Sequence, residues 1–190
     1  MTDADKVTLS RIIMSPVFFL VFRLTFLPSG VTLAILWILF ALIELSDFVD
    51  GRIARASDQV SAFGKLFDPF ADVIARVTYF LAFASVGIMP FWILLIILYR
   101  EFAMLFLRML LSFQGIAMGA RPGGKLKAGV YMMAGMSSLM LHSARHLPAF
   151  TPWEPVLATA TFLIYIAAAV LSLVSFADYI VQFLKVYKRT

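Results

Sequence analysis

The sequence has no cysteine and little charge, and each shortage excludes a class of protein. Without cysteine among its 190 residues, the chain can form no disulfide, thiolate metal site or cysteine nucleophile. Charged residues make up only 14% of the chain, whereas a soluble domain usually contains roughly a quarter. Hydrophobic residues make up 62%, which is too many to bury in one small core. These proportions exclude a soluble globular enzyme and a disordered chain, and they favour an integral membrane protein.

Long apolar runs predict six membrane-spanning helices. A helix needs about 20 mainly apolar residues to cross a bilayer. The run 77–99 is uncharged, but Gly87 and Pro90 divide it into two helices joined by a tight turn. The predicted helices cover residues 7–27, 30–56, 62–87, 90–112, 124–146 and 154–186. The sequence therefore predicts an all-α integral membrane protein in which residues 1–190 form a single transmembrane catalytic domain.

Positive charge lies on alternate connections between these helices. One set of helix ends carries Lys6, Arg11, Arg52, Arg55, Lys65, Arg121, Lys125, Lys127, Lys185, Lys188 and Arg189. In the opposite set, no charge lies at 28–30 or 87–90, and only Arg145 and Glu154 lie between the last two helices. Because cytoplasmic loops of membrane proteins are rich in Lys and Arg, we expect both termini on the cytoplasmic side of a bacterial cell membrane.

Four aspartates have a spacing typical of a metal site. Asp47 and Asp50 are three residues apart, and Asp68 and Asp72 are four apart, so each pair shares one face of its helix. The short connection makes the two helices antiparallel neighbours, and the two pairs can then face one another. Carboxylates without His or Cys favour Mg²⁺ or Mn²⁺, with Ca²⁺ as an alternative. Four acids suffice for two ions about 4 Å apart, an arrangement that serves phosphoryl transfer.

Two other interpretations of the aspartates remain open. They could pair with neighbouring cations as a solvated belt at the membrane interface, which is the commoner role of a single interfacial aspartate. They could instead line the conduction path of a divalent-cation transporter. That interpretation predicts acids spread through the depth of the bilayer, whereas these four cluster at one interface. The shared spacing of all four therefore favours the metal site.

The pattern D-x2-D-G-x2-A-R-x8-G-x3-D-x3-D at residues 47–72 resembles the signature of the CDP-alcohol phosphotransferase family at every fixed position. This resemblance implies a six-helix membrane enzyme, often a homodimer, that exchanges CMP on a cytidine diphosphate lipid for an alcohol. It implies that the four aspartates bind two Mg²⁺ or Mn²⁺ ions and that Asp72 also takes the proton of the incoming hydroxyl. The residues matched to CDP binding are Gly51, Ala54, Arg55, Gly64 and, in the N-terminal segment, Thr8.

Flanking segments resemble the phosphatidylglycerophosphate synthases, one branch of that family. Thr8, Arg11 and Pro16 match an N-terminal segment of this branch, and later matches are Arg100-Glu101, Leu107-Arg108 and Gly124-Lys125-x-Lys127. The branch implies CDP-diacylglycerol and glycerol 3-phosphate as partners, with no nucleic acid. A sibling enzyme that uses inositol phosphate, inositol or another polar alcohol is the alternative.

Four cations on the predicted cytoplasmic side suit an anionic acceptor. The predicted acceptor-phosphate residues are Arg100, Arg108, Lys125 and Lys127. For the two arginines, an intramembrane ion pair with Glu101 is the structural alternative. For the two lysines, the alternative is a lipid-headgroup or orientation role.

Two further motifs are set aside. Residues 119–125 fit the phosphate-loop pattern G-x4-G-K, but Leu126 follows where that loop needs Ser or Thr, and no strand precedes it. His142 and His146 are four residues apart and could hold zinc in principle. With no acid nearby before Glu154, interfacial histidines are the favoured interpretation.

Overall fold

Six α-helices account for most of the residues that the structure describes. The structure is a computed structural model that describes residues 3–24, 27–56, 64–113 and 122–187, without the side chains of 3–4, 47–56, 65, 122–123, 125 and 186–187. The helices are α1 (Asp3–Arg23), α2 (Ser29–Ala56), α3 (Gly64–Ala84), α4 (Phe91–Phe113), α5 (Pro122–His146) and α6 (Glu154–Tyr187). A short 3₁₀ helix, Pro148–Trp153, precedes α6. The described residues contain no strand, so the all-α prediction is confirmed.

The six predicted helices are all present, and α1 differs most from its predicted bounds. It begins at Asp3 and ends at Arg23, whereas the apolar run alone predicted 7–27. Neither glycine nor proline interrupts the polar segment before residue 7, so the helix extends through it. The 3₁₀ helix was not predicted from the sequence. It contains Pro148 and Pro152, and proline cannot donate the backbone hydrogen bond that an α-helix needs.

The predicted turn between α3 and α4 is confirmed. Gly87 has φ of 72°, a left-handed conformation that glycine adopts without steric cost. The backbone N–H of Ile88 donates to the carbonyl of Phe83 at 3.0 Å, which closes the end of α3. The chain therefore reverses within a few residues, and α4 packs beside α3.

Aromatic side chains hold α3 at the centre of the bundle. The ring of Phe83 lies 5.6 Å from that of Phe22 on α1. The ring of Phe80 lies 5.6 Å from Tyr131 on α5 and 5.7 Å from Tyr165 on α6. All five side chains are buried, so one core element contacts three other helices.

A glycine permits α5 to approach this core closely. Gly135 is buried, and a Cβ atom placed there would lie 2.7 Å from the ring of Phe40 on α2 and 3.3 Å from the ring of Tyr79 on α3. Carbon atoms in contact normally lie about 3.5–4.0 Å apart. The missing side chain therefore allows α2, α3 and α5 to meet.

Contacts between the helices define two ends of the bundle. Residues early in α1 contact the end of α2 and the start of α3, and the last turn of α1 contacts the last turns of α5. We call the first of these the cavity end; it comprises the starts of α1, α3 and α5 and the ends of α2, α4 and α6. The other is the histidine end, which contains His142 and His146.

Two helical stretches of the described chain are long and apolar enough to cross a membrane. They are Ser29–Ser46 in α2 and Pro148–Lys185, which includes the 3₁₀ helix and most of α6. The structure therefore supports a membrane protein at the level of two candidate spans. The full six-span topology stays a prediction.

Candidate active site

Two polar side chains of α1 contact the two aspartates of α3. The hydroxyl of Thr8 donates to Oδ1 of Asp68 at 2.9 Å, and the guanidinium of Arg11 donates to Oδ1 of Asp72. Thr8 and Arg11 are about one helical turn apart, as are the two aspartates, so the two pairs meet along facing helix surfaces. Helix α1 therefore fixes the orientation of both carboxylates.

Arg11 is buried, and a second hydrogen bond holds it in place. It is 1% exposed, and its Nε donates to Oγ of Ser46 on α2 at 3.1 Å. Ser46 in turn donates to the carbonyl of Ile43 at 2.7 Å. A buried arginine needs such partners because its desolvation is costly. The side chain of Asp72 is 26% exposed, so its carboxylate stays accessible while Arg11 holds it.

These contacts show roles that the sequence did not reveal. Thr8 was predicted to contact CDP, but it is fully buried and bonds to Asp68; its contact with CDP stays a prediction. Arg11 was matched only as part of a motif. The signal that could have identified its role is the T-x-x-R spacing on α1, which matches the D-x3-D spacing on α3.

The described part of the carboxylate site fits a hard divalent cation. Asp68 and Asp72 offer carboxylate oxygens, the donors that Mg²⁺ and Mn²⁺ prefer. Ser46 is adjacent to Asp47 in sequence and bonds to Arg11, so this part of α2 lies beside the α3 carboxylates. The side chains of Asp47 and Asp50 lie outside the described residues. Within the described side chains, no three acids or histidines are grouped as metal ligands.

The predicted CDP contacts lie mostly outside what the structure describes. Gly51, Ala54 and Arg55 belong to the last turns of α2, and their side chains are not among those described. Gly64 is buried at the start of α3. These four assignments stay predictions.

A polar cavity of about 110 Å³ extends from Asp72 into the bundle. Helices α3, α4, α5 and α6 line it, and seven of the lining residues carry charge. The cations are Arg76, Arg100, Arg108 and Lys127, and the anions are Asp72, Glu101 and Asp178. Three of the four predicted acceptor cations are thus brought together. The side chain of the fourth, Lys125, lies outside the described residues.

Glu101 links two of the cations that line this cavity. Its Oε2 accepts from Arg100 at 3.0 Å, and its Oε1 accepts from Lys127 on α5. All three side chains are at least nine-tenths buried. One carboxylate between two cations leaves a positive balance, which suits an anionic ligand.

Several hydrogen-bond donors of Arg100 are already bonded to other residues of the protein. Its Nε donates to the carbonyl of Ser172 at 3.4 Å and its Nη2 to Oγ of Ser175 at 3.0 Å, both on α6. Together with the Glu101 contact, these bonds use three donors of the guanidinium. The geometry therefore supports the structural alternative for Arg100, which ties α4 to α6.

Arg108 differs from Arg100. Its Nε atom is buried and has no hydrogen-bond partner among the described residues. It also lines an apolar groove of about 340 Å³ between α3 and α4, together with Leu66, Phe67, Pro69, Phe70, Leu105 and Met109. Arg108 therefore stands where the polar cavity meets an apolar surface.

Sequence reasoning missed three residues that line the cavity. Arg76 follows Asp72 by one helical turn, and this spacing was the available signal. Asp178 and Tyr179 are brought to the cavity only by the packing of α6 against α4. No local pattern in the sequence indicates such a contact between distant helices.

At the histidine end, the described side chains make packing contacts and do not form a metal site. His142 is 7% exposed, and its ring lies 4.3 Å from that of Phe22. His146 Nδ1 lies 2.8 Å from the carbonyl of His142, and Glu154 pairs with Arg145 at 3.0 Å. This arrangement supports the interpretation of the histidines as packing residues and gives none to a zinc site.

Comparison with known proteins identifies the class. A family model described as CDP-alcohol phosphatidyltransferase matches residues 1–185. The chain belongs to this family. The family predicted from residues 47–72 is therefore confirmed, and so is the prediction of an enzyme.

Three relatives show which members of this family the chain is similar to. The chain is 44% identical to a CDP-diacylglycerol–glycerol-3-phosphate 3-phosphatidyltransferase of Treponema pallidum, over 80% of this chain and 71% of that protein. It is 32% identical to a protein of the same name from Bacillus subtilis, over 73% and 76%. It is 28% identical to a probable phosphatidylglycerophosphate synthase of Mycobacterium tuberculosis, over 96% and 81%.

Proposed function

We propose that the protein transfers the phosphatidyl group of CDP-diacylglycerol to glycerol 3-phosphate, giving phosphatidylglycerophosphate and CMP. The names of its relatives support this donor and this acceptor. The observation that carries the proposal is the cavity, because it places Asp72, Arg108 and Lys127 in one lining. A carboxylate that can take a proton therefore lies beside cations that can hold a phosphate.

The reaction needs a base and a bound acceptor. The acceptor hydroxyl attacks the phosphorus next to diacylglycerol, a new P–O bond forms, and the P–O bond to CMP breaks. Asp72 takes the proton of the attacking hydroxyl, as a general base within reach of the cavity. Arg11 holds the Asp72 carboxylate in a fixed orientation, so little reorganisation is needed during proton transfer.

Two Mg²⁺ or Mn²⁺ ions are part of the proposal. Asp47, Asp50, Asp68 and Asp72 would hold them, and bound ions neutralise charge on a diphosphate. Thr8 orients Asp68 for this role. Gly51, Ala54, Arg55 and Gly64 are the proposed contacts with the cytidine diphosphate.

The apolar groove between α3 and α4 gives the lipid a route to the cavity. It shares Pro69, Leu105 and Arg108 with the cavity, so a headgroup can reach Asp72 while acyl chains remain among apolar side chains. Glycerol 3-phosphate is water-soluble and would enter the cavity from the cytoplasmic side. In this proposal, the lipid enters the cavity from the membrane and glycerol 3-phosphate enters it from water.

We place all six helices in the membrane, with both termini in the cytoplasm. Each helix exposes large apolar side chains, which a soluble protein would bury. Examples from α1 to α6 are Ile13, Ile38, Phe70, Leu95, Met133 and Leu163, each at least 44% exposed. The bias of Lys and Arg toward the cavity end supports a cytoplasmic position for that end.

The cysteine-free sequence allows a clean test of topology. Ala149→Cys introduces a single thiol at an exposed position in the 3₁₀ helix before α6, and Lys185→Cys introduces one at an exposed position in the last turn of α6. In intact cells, a membrane-impermeant thiol reagent should label the first variant and leave the second unlabelled until the membrane is opened. Labelling of the second variant in intact cells would contradict the topology.

An acceptor screen tests the reaction. Purified protein in detergent is supplied with CDP-diacylglycerol, Mg²⁺ and one acceptor at a time, and CMP release is measured. Glycerol 3-phosphate should give the highest kcat/KM, and a chelator should stop the reaction. A higher kcat/KM with inositol phosphate, inositol or another alcohol would replace the proposed acceptor, and no CMP release with any acceptor would contradict the proposal.

A further inference from the structure

The buried hydroxyl of Tyr179 does not contribute a hydrogen bond to the packing of the helices. The side chain lies on α6, is 4% exposed and lines the cavity. Its hydroxyl is buried and makes no hydrogen bond of normal geometry among the described residues, although the side chain of Arg108 lies near it. Nearly all buried polar groups in proteins are hydrogen-bonded, so such an exception calls for an explanation.

The other buried tyrosines of the described chain are all satisfied. The Tyr131 hydroxyl donates to Oγ of Ser172 at 2.9 Å, and the Tyr165 hydroxyl lies 2.6 Å from Oγ of Ser138. The Tyr79 hydroxyl donates to Glu44 at 3.2 Å. The hydroxyls of these three buried tyrosines all have hydrogen-bond partners within the bundle. Tyr179 differs from them in this respect.

A second buried side-chain atom of the described residues also lacks a hydrogen-bond partner, and its residue lines the same cavity. It is Nε of Arg108, on α4. An arginine N–H can only donate, and a tyrosine hydroxyl can donate as well. Two donors that lack acceptors in one cavity fit a ligand with several acceptor oxygens.

We propose that Tyr179 and Arg108 together bind the phosphate of the acceptor and that the Tyr179 hydroxyl selects phosphorylated over unphosphorylated alcohols. The inference rests on the proposed function, and it adds a residue that the sequence motifs do not contain. Phosphate oxygens accept from both donors, and the cationic lining favours a dianion. The cavity has room for several water molecules, which is enough for a phosphate group. Arg100 is less suited to this role because Ser172 and Ser175 of α6 and Glu101 already accept from three of its five N–H donors.

Replacing Tyr179 with phenylalanine removes a single oxygen and provides the test. A hydrogen bond to a charged ligand is lost, so KM for glycerol 3-phosphate should rise about 10- to 100-fold. KM for CDP-diacylglycerol should change less than about twofold, because the proposal assigns the hydroxyl to the acceptor phosphate and not to the donor. Steady-state CMP release, with each substrate varied in turn, measures both constants.

Tyr165→Phe is the matched control. It makes the same chemical change on the same helix, but it removes a hydroxyl that is bonded to Ser138. Tyr165→Phe should lower the unfolding temperature and leave both KM values unchanged. Tyr179→Phe should leave the unfolding temperature unchanged or raise it, because no protein hydrogen bond is lost. A loss of stability in Tyr179→Phe without a change in KM would overturn the proposal and assign Tyr179 a structural role.

Inhibition by inorganic phosphate identifies the part of the acceptor that Tyr179 contacts. Phosphate should compete with glycerol 3-phosphate, and its inhibition constant should rise by a similar factor in Tyr179→Phe when the free Mg²⁺ concentration is held constant. An unchanged inhibition constant would overturn the assignment to phosphate. If the wild type uses an unphosphorylated acceptor, the proposed function fails by the acceptor screen, and the phosphate inhibition still decides whether Tyr179 binds an anion.

Discussion

The two ends of the bundle both carry charged side chains, but they hold them in opposite ways. At the cavity end, Arg100, Glu101 and Lys127 form a buried ion-pair network. At the histidine end, Arg145 and Glu154 form a pair in which the side chains are 33% and 37% exposed. A buried charge is costly unless its partners compensate, whereas an exposed pair contributes little in either direction.

This difference supports the proposed position of the active site at the cavity end. Buried charges occur at the cavity end although apolar residues of similar size would pack at lower cost. Cations can bind a phosphate and a carboxylate can accept a proton, so these groups suit the proposed reaction. The histidine end, by comparison, keeps its polar groups in ring contacts and in one exposed pair.

The largest expected effect is on catalysis at the cavity end. Asp72→Asn removes the proposed base, so the rate of CMP release should fall by about 10²- to 10⁴-fold or more. The amide oxygen of asparagine can still accept from Arg11, so the protein should fold, as size-exclusion chromatography and circular dichroism can verify. Asp68→Asn should have the same consequence.

The matched control for these variants is Glu154→Gln, which also neutralises a carboxylate, at the histidine end. It should retain full activity. Full activity in Asp72→Asn, or comparable losses in all three variants, would remove the functional contrast between the two ends.

The next effect is on stability. Glu101→Gln leaves Arg100 and Lys127 buried with a weakened partner, so the free energy of unfolding should fall by about 3–5 kcal/mol. Glu154→Gln should cost about 0–1 kcal/mol, because both partners are exposed. Denaturation in detergent micelles compares the two variants at equal protein concentration.

A second substitution separates charge from packing. In Glu101→Gln with Lys127→Met, one of the two uncompensated cations is gone, so part of the lost stability should return. No recovery, together with equal costs for the two single glutamate variants, would show that burial does not distinguish the ends.

A smaller effect is expected between the two ends, where no charge is involved. Gly135→Ala places a methyl group against the rings of Phe40 and Tyr79, and overpacking of this kind costs about 1–3 kcal/mol. Gly129→Ala is the control on the same helix, since open space surrounds that position and alanine favours helix formation. The first variant should unfold at a lower temperature than the wild type and the second at an equal or higher one. The opposite order would contradict the close packing of α5.

The helices were predictable because apolar runs and turn residues are local signals. The turn at Gly87 and the aspartate spacing are each visible in a short stretch of sequence, and the charge bias is visible by comparing the connections between apolar runs. The start of α1 was misplaced because polar residues can also be helical, and hydropathy does not report this. The family was predictable because its motif is fixed in spacing.

The cavity was only partly predictable, because it depends on contacts between distant segments. Arg100 and Arg108 look equivalent in sequence, yet α6 accepts hydrogen bonds from two nitrogens of Arg100, whereas Nε of Arg108 has no partner in the described chain. The roles of Arg11 and Tyr179 likewise depend on which helix packs beside them. Such roles follow from tertiary packing and have no signature within one helix.

The central claim is that carboxylates at the cavity end bind a pair of divalent cations. Mn²⁺ titration followed by electron paramagnetic resonance counts bound ions on the purified protein without requiring turnover. We expect two bound Mn²⁺ ions in the wild type and in Glu154→Gln, and fewer in Asp68→Asn and Asp72→Asn. Unchanged Mn²⁺ binding in both aspartate variants would contradict the claim.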